Sequence, residues 1–109
     1  MPRRRDARPA PALEIKTARI DGLRVVINTA ERDALAAHLD TLFADAPEFF
    51  AGETAWFDAS RLNDACPDWG WLAERLRASG LRPIGVDGAA ASQRDAILAA
   101  GLVALPERA

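Results

Sequence analysis

Apolar and charged residues alternate along residues 13–20, in the order Leu-Glu-Ile-Lys-Thr-Ala-Arg-Ile. This period of two is typical of a half-buried strand, and the Asp21-Gly22 pair that follows is a signal for a two-residue turn. Residues 23–27 are mostly apolar and β-branched, which predicts a second strand. We therefore expect an antiparallel hairpin whose amphipathic first strand lies nearer an edge of the sheet.

A helical period replaces this alternation after residue 28. Apolar residues recur three and four positions apart between Leu35 and Phe43, which predicts an amphipathic helix of about 15 residues. Asn28 or Thr29 is in position to cap its N-terminus. Pro47 is expected to end it, because a proline disfavours the helical conformation of the residue before it.

The second half of the chain repeats a unit in which a helix ends at a glycine and a short apolar run follows. Gly80 precedes residues 81–86, and Gly101 precedes residues 102–105. A glycine at that position supplies the left-handed cap of a helix. Two such units in succession are what parallel crossovers require, so this half predicts an α/β sheet.

The remaining elements complete a sheet with helices packed on it. Residues 54–59 predict a further strand, Asp68 the start of the second helix and Ser92 the cap of the third. Because proline removes a donor from the strand ladder, the strand around Pro83 is expected to begin at or after that residue. The predicted order is β-β-α-β-α-β-α-β, an α/β fold with a mixed sheet of four or five strands, an N-terminal antiparallel hairpin and then parallel crossovers.

Composition favours one folded domain with a basic N-terminal tail. Residues 1–11 carry four arginines and three prolines against one aspartate, so we expect a disordered tail there. A single domain over residues 12–106 follows, and residues 107–109 are read as the start of a linker or the end of the chain. The formal net charge is −2, and subtracting the tail's +3 leaves about −5 on the folded body, which argues against nucleic-acid binding.

Hydropathy indicates a cytoplasmic protein. No apolar run approaches the roughly 18 residues of a membrane-spanning helix, and the first dozen residues lack the apolar centre of a signal peptide. Direct membrane insertion is therefore not expected. The single Cys66 excludes an intramolecular disulfide, which suits a reducing compartment.

Residues with catalytic potential are few. His38 and Cys66 are the one histidine and the one cysteine, and nothing in their spacing brings them together as a nucleophilic pair. Four aspartates, at positions 58, 64, 68 and 87, could gather at the C-terminal ends of parallel strands, where α/β sheets place their ligands. An acid/base or Mg²⁺ site is one interpretation of them, and helix caps and loop turns are the favoured one. We expect no catalytic residue, no cofactor and no metal.

Three tryptophans are the candidates for contact surfaces. Trp56 lies within a predicted strand and is assigned to the core. Trp69 and Trp71 are two residues apart at a helix start, so they do not share a helical face and at least one is expected nearer the surface, where aromatic residues anchor interfaces.

Several segments, taken in their order and spacing, resemble one family. They are Leu13-Glu14-Ile15-Lys16, Ala46-Pro47-Glu48-Phe49-Phe50, Trp56-Phe57-Asp58, Ser60-Arg61-Leu62, residues 80–86 and Ala100-Gly101-Leu102. The chain resembles the N-terminal domain of MinC, the bacterial septum-site-determining protein, from about residue 13 to residue 105.

The resemblance implies a cell division inhibitor without enzymatic activity. In that family the N-terminal domain antagonises assembly of the tubulin-like protein FtsZ and so restricts septation to mid-cell. A second, β-helical domain supplies most of the dimerisation and binds the membrane-associated ATPase MinD, which recruits the protein to the membrane. These 109 residues do not include that domain, so we expect a shortened chain or, less favoured, a naturally short relative.

The resemblance also places the FtsZ contact near the first predicted strand, at a Lys-Gly pair. Lys16 matches the lysine, whereas Thr17 departs from the glycine and adds a Cβ where close backbone approach is expected. Glu14 and Arg19 are the neighbours assigned to the same contact. An exposed cation suits an acidic partner surface, and a solvated strand residue is the alternative interpretation of Lys16.

Two other readings stay open. One is a regulatory binding domain of the anti-sigma-factor-antagonist (STAS) type, with Ser60 as the nearest candidate for phosphorylation, although Asp68-Trp69-Gly70 replaces the Asp-Ser-x-Gly step of that family. The other is a small hydrolase or nucleotide-binding module, which needs a polar pocket at the strand ends. An amphipathic edge strand also allows a homodimer by edge-strand pairing or exchange.

Overall fold

The computed structural model describes residues 11–19, 21–45 and 50–105 of the chain. Strands and helices alternate along them. The strands are β1 (Leu23–Val26), β2 (Thr54–Asp58), β3 (Arg82–Asp87) and β4 (Val103–Ala104), and the helices are α1 (Arg32–Asp45), α2 (Trp69–Ala78) and α3 (Arg94–Ala99), the last preceded by a 3₁₀ turn at Ala91–Gln93. No helix in these ranges is both long enough and apolar enough to cross a bilayer.

The four strands form one parallel sheet in the order β1-β2-β3-β4. One helix connects each strand to the next, as the paired glycine signals predict. Since crossovers of one hand that step in one direction deliver every helix to the same face, the helices cover one face of this sheet. The α/β class and the parallel crossovers are therefore confirmed.

The core lies between this face and the helices. Val25, Phe57, Val86 and Ala104 are register partners across the sheet, and Phe57 is fully buried. Its ring lies 5.5 Å from the ring of Trp69 on α2. Other buried side chains come from all three helices and the loops between them, namely Leu39, Leu62, Leu72, Leu76, Leu81, Ile97 and Leu102.

The predicted N-terminal hairpin is wrong. Residues 11–19 contain no strand, Leu13 and Ile15 are 74% and 91% exposed, and Ile20 lies outside the described residues. Alternation shows that a segment is able to bury one of its sides in a sheet. It does not show that another strand has a free edge with which the segment can pair. With two large apolar residues among the described ones, this segment has little apolar surface to offset the entropy of ordering it.

The strand around Pro83 begins earlier than predicted, at Arg82. The Arg82 N–H donates to Glu53 O on the β2 side at 2.8 Å. Successive N–H positions in a strand alternate between its two sides, so the nitrogen of Pro83 lies on the β4 side. There the register with β4 starts only at Gly85, and the missing donor leaves no ladder bond unmade.

Helix ends follow local signals in most cases. The Asp68 side chain accepts a hydrogen bond from the Trp71 N–H at 3.0 Å and caps α2, as predicted. Gly80 and Gly101 have φ of +93° and +81°, the conformation expected of their caps. The Ser92 cap is wrong, because neither the 3₁₀ turn nor α3 has a side-chain cap.

The N-terminus of α1 lies later than the predicted caps. Thr29 Oγ1 accepts from the Glu31 N–H at 3.1 Å, in the turn that precedes the first helical residue, Arg32. The helix runs to Asp45, and the predicted stop at Pro47 lies outside the described residues. Phe50 follows, and its ring contacts that of Phe43 edge to face at 5.3 Å between centroids.

Candidate functional site

The second face of the sheet has no helix over it in the described part of the chain. Register partners in neighbouring parallel strands lie on the same side of a sheet, and successive residues alternate between sides. The buried row through Phe57 therefore assigns the rows before and after it to the other side. We call this side the open face; it consists of Arg24, Val26, Thr54, Trp56, Asp58, Arg82, Gly85, Asp87 and Val103.

Each strand of the sheet carries one apolar side chain at a position that is not fully buried, and we call these four side chains the apolar band. Val26 of β1, Ile84 of β3 and Val103 of β4 are 40%, 40% and 56% exposed, and Trp56 of β2 lies between them, half-buried. Ile84 is the extra residue of a bulge opposite Ala55 and Trp56. Each strand thus contributes one apolar side chain that water reaches.

Glycines make room for the indole at the centre of this band. Trp56 pairs in register with Gly85, and a Cβ on Gly22 would lie 3.4 Å from its Cζ3 atom. The prediction that Trp56 belongs to the core is wrong, because Trp56 lies on the face of the sheet opposite the helices. Alternation along a strand does not show which of its two faces the helices cover.

Charged residues close one end of the open face. Arg24 Nη1 lies 3.2 Å from Asp58 Oδ2 and 3.5 Å from Asp87 Oδ2, so one guanidinium bridges two carboxylates on neighbouring strands. The Arg24 side chain is 45% exposed, whereas those of Asp58 and Asp87 are 17% and 19% exposed. A protein approaching this end therefore meets the cation more than the anions.

Ser60 fixes the orientation of Asp58. Its hydroxyl and its N–H donate to Asp58 Oδ1 at 2.7 and 2.9 Å. These bonds and the neighbouring Arg24 lower the pKa of the Asp58 carboxyl below its ordinary value, with the Ser60 hydroxyl as the largest cause. Asp58 is thus an ionised acceptor held in place, the opposite of a general acid prepared for proton transfer.

The four residues assigned to partner contact lie in the extended N-terminal segment. Glu14, Lys16, Thr17 and Arg19 are all exposed, and none of them belongs to the sheet. Lys16 Nζ lies 3.5 Å from Glu14 Oε1. An ion pair between two exposed side chains contributes little, so Lys16 can exchange it for a partner carboxylate at small cost.

An apolar groove separates α1 from the edge strand β1. Two adjoining cavities of about 240 and 280 Å³ lie there, and Val25, Val26, Leu39 and Leu42 line both. His38 also lines the smaller cavity. The groove offers shape and apolar surface, with few polar groups to orient a small ligand.

The candidates for catalysis are not assembled into a site. Cys66 is exposed and its Sγ contacts Pro67 O, whereas His38 lies on α1 beside β1. Asp58 and Asp87 share Arg24, and Asp68 caps α2 and pairs with Arg32 at 3.7 Å. Within the described ranges no group of three or more His, Cys, Asp or Glu side chains is placed to hold a metal ion.

Trp69 and Trp71 differ in burial, as their spacing predicts. Trp69 is buried, and its indole N–H donates to the buried Gln93 at 3.0 Å. Trp71 is half-buried between the helices, where Arg32 and Arg75 place their guanidinium carbons 4.7 and 5.6 Å from its ring centroid. Cation–π contacts of this kind join α1 to α2 and occupy the indole within the helix layer.

Sequence reasoning missed the open face. The sequence brings Asp58 and Asp87 together at the strand ends as one interpretation, but it assigns no partner to Arg24. The signal for their proximity is the register of three parallel strands, which aligns Asp58 with Asp87 and places Arg24 on the same face, two residues before their register partner Val26. No local sequence pattern predicts which residues of the three strands lie opposite one another.

The fold and this surface define a class: a small α/β domain whose sheet has helices on one side and an apolar, arginine-bearing face on the other. The chain belongs to a family within it, the N-terminal domain of the septum formation inhibitor MinC, whose family model matches residues 13–83.

Individual relatives of the chain support the same family. The chain is 44% identical over 94 residues to a probable septum site-determining protein MinC of Bordetella petrii, covering 86% of this chain and 33% of the relative. It is 42% identical over 78 residues to that of Ralstonia pickettii, covering 71% of this chain and 30% of the relative. The chain therefore spans about a third of the length of the curated relatives it matches.

Proposed function

We propose that this domain inhibits cell division by binding FtsZ and opposing assembly of its polymers, so that septa do not form away from mid-cell. The observation that carries the proposal is membership of a family named for inhibition of septum formation, with a match over residues 13–83. The relatives' names, which refer to septum site determination, support the same role.

The described geometry is compatible with action by surface contact. The domain offers an exposed cation in its N-terminal segment and an apolar face on its sheet, and proteins recognise one another through such combinations of apolar area and complementary charge. Asp68 serves as a helix cap, and Asp58 and Asp87 serve as partners of Arg24. We infer a role without enzymatic chemistry.

The partner contact is proposed to include Lys16, with Glu14, Thr17 and Arg19 beside it. Lys16 is the one lysine of the chain, so its contribution can be isolated by a single change. A reversal of its charge removes attraction to an acidic partner surface and adds repulsion.

The test is sedimentation of FtsZ polymers in the presence of the purified chain. We expect the wild-type chain to reduce the pelleted FtsZ, and Lys16→Glu to need about tenfold more protein for the same reduction. Arg94→Glu is the matched control, because it makes a similar reversal at an exposed position of α3. Equal inhibition by Lys16→Glu and wild type would remove Lys16 from the contact, and no inhibition by the wild type would refute the function.

Three further relations are proposed from membership of the family. MinD binding and the membrane recruitment that follows from it would reside in a domain outside these 109 residues, with this domain in the cytoplasm. A homodimer would use the free edge of β1, which pairs on one side only in the described sheet. Light scattering of the purified chain distinguishes one copy from two.

A further inference from the structure

Helix α1 is attached to the sheet by few buried side chains. Leu39 is its one buried side chain among those that the structure describes. The shorter α2 has four buried side chains, namely Trp69, Leu72, Ala73 and Leu76. Most of the stability of a helix in a protein comes from packing of its apolar face. We therefore expect α1 to be held to the sheet more weakly than α2.

Open space separates α1 from the sheet over most of its length. The two cavities of the groove, about 240 and 280 Å³, are lined by α1 from Ala34 to Phe43 and by Val25 and Val26 of β1. Side chains that line a void lose dispersion contacts on that side. Phe43 gains an edge-to-face contact with Phe50 near the end of the helix, but the groove removes much of the remaining packing under α1.

The polar contacts of α1 with α2 lie near the protein surface. Arg32 pairs with Asp68 at 3.7 Å and lies over the Trp71 ring, and Asp40 pairs with Arg75. The side chains of Arg32, Asp68 and Asp40 are all more than half exposed. Ion pairs at such positions contribute little to stability, so they add only a small amount to the attachment.

We propose that α1 is a lid, which opens from the sheet as a separate unit while the four strands, α2 and α3 stay folded. Regions with little buried apolar surface open locally at a smaller cost than global unfolding. An isolated helix of 14 residues is marginal in water, so the opened segment loses its helical hydrogen bonds. α1 opens in this way whichever partner the domain binds.

The rest of the fold has contacts of its own that do not include α1. β2 and β3 are the two central strands of the sheet. Phe57 of β2 packs on Trp69 of α2, and the Trp69 indole donates to Gln93 in the 3₁₀ turn before α3. These buried contacts remain when α1 leaves the sheet.

Opening of the lid uncovers apolar side chains beside β1. Ile27, Leu76 and Leu81 are buried in the closed structure, and all three line the groove under α1 together with Val25. Departure of α1 makes them accessible to water or to a ligand. The open state, present in a minor fraction of molecules, therefore carries an apolar surface that the closed state covers.

Hydrogen exchange of the backbone amides, followed by NMR on the purified chain, reports on each opening separately. In the wild type we expect the amides of residues 36–44 in α1 to share one protection factor. That factor should be at least about tenfold lower than those of Phe57 and Val86 in the central strands, because these two amides exchange only through global unfolding.

Ile97→Val distinguishes the lid from a single cooperative unit. Ile97 of α3 is fully buried and stays packed when α1 opens. The variant should raise the exchange rates of Phe57 and Val86 about two- to tenfold, because it weakens the core, and should leave the rates of α1 unchanged.

Asp40→Asn tests the attachment of the lid itself. Because it weakens the pair with Arg75, it should raise the exchange rates of residues 36–44 about two- to fivefold. Glu74→Gln is the matched control, since it removes the same charge from an exposed pair with Arg77 inside α2 and should leave α1 unchanged.

Two results would overturn the lid. One is a wild-type α1 whose amides are protected as strongly as those of Phe57 and Val86. The other is an Ile97→Val chain in which the rates of α1 and of the central strands rise by the same factor. In either case α1 would open only when the whole domain unfolds.

Discussion

The Arg24 side chain joins β1 to the carboxyl ends of β2 and β3. It lies on β1 and reaches Asp58 of β2 and Asp87 of β3, while Ser60 holds Asp58 from the other side. The backbone reinforces this link, because the Ile27 N–H donates to Asp58 O and the Ala59 N–H donates to Asp87 O. The end of the open face is therefore a fixed constellation in which each charge has a partner.

Ser60→Ala should raise the pKa of Asp58 toward its ordinary value, because the hydroxyl is the largest cause of the lowered pKa. The Ser60 N–H and Arg24 remain, so the rise is partial. A carboxyl whose pKa is lowered by folding stabilises the fold above its unfolded pKa of about 3.9, and this stabilisation is lost as pH falls through the folded pKa. The variant should thus be less stable than wild type at neutral pH, by an amount that disappears in strong acid.

Titration of the Asp58 carboxyl carbon by NMR measures this directly. Ser92→Ala, a change at an exposed serine without a side-chain cap, is the control. An Asp58 pKa that is the same in Ser60→Ala and wild type would show that the hydroxyl does not stabilise the carboxylate.

At the scale of elements, local sequence signals correctly predict the start of α2 and the ends of α2 and α3. The Asp68 cap and the Gly80 and Gly101 turns depend on one residue and its nearest backbone, so the sequence alone predicts them. The hairpin failed because pairing of residues 13–20 depends on an edge elsewhere in the fold. The Arg24 cluster and the face of Trp56 were missed for the same reason, since both follow from strand register.

The cap of α2 gives a prediction at this scale. Asp68→Ala should lower the free energy of unfolding by about 0.5–2 kcal/mol, because the Trp71 N–H loses its acceptor. Asp68→Asn keeps an acceptor and removes only the exposed pair with Arg32, so it should cost less than about 0.5 kcal/mol. Urea unfolding of the three proteins provides the comparison. Equal losses in both variants would assign the effect to the ion pair instead of the cap.

At the scale of the whole molecule, the fold separates two surfaces. One side of the sheet is occupied by helices tied to each other through Trp71 and the Arg75–Asp40 pair. The other carries Val26, Trp56 and Val103 together with the Arg24 guanidinium. A domain built this way has its core on one face of the sheet and apolar side chains within reach of water on the other.

Division of rod-shaped bacteria that produce this chain tests the central claim most directly. We predict long cells without FtsZ rings at raised levels of the chain. The control is the chain with Leu72→Asp, whose carboxylate would be buried in the core and prevent folding. Cells of normal length with regular rings, at equal measured amounts of folded chain, would contradict the account.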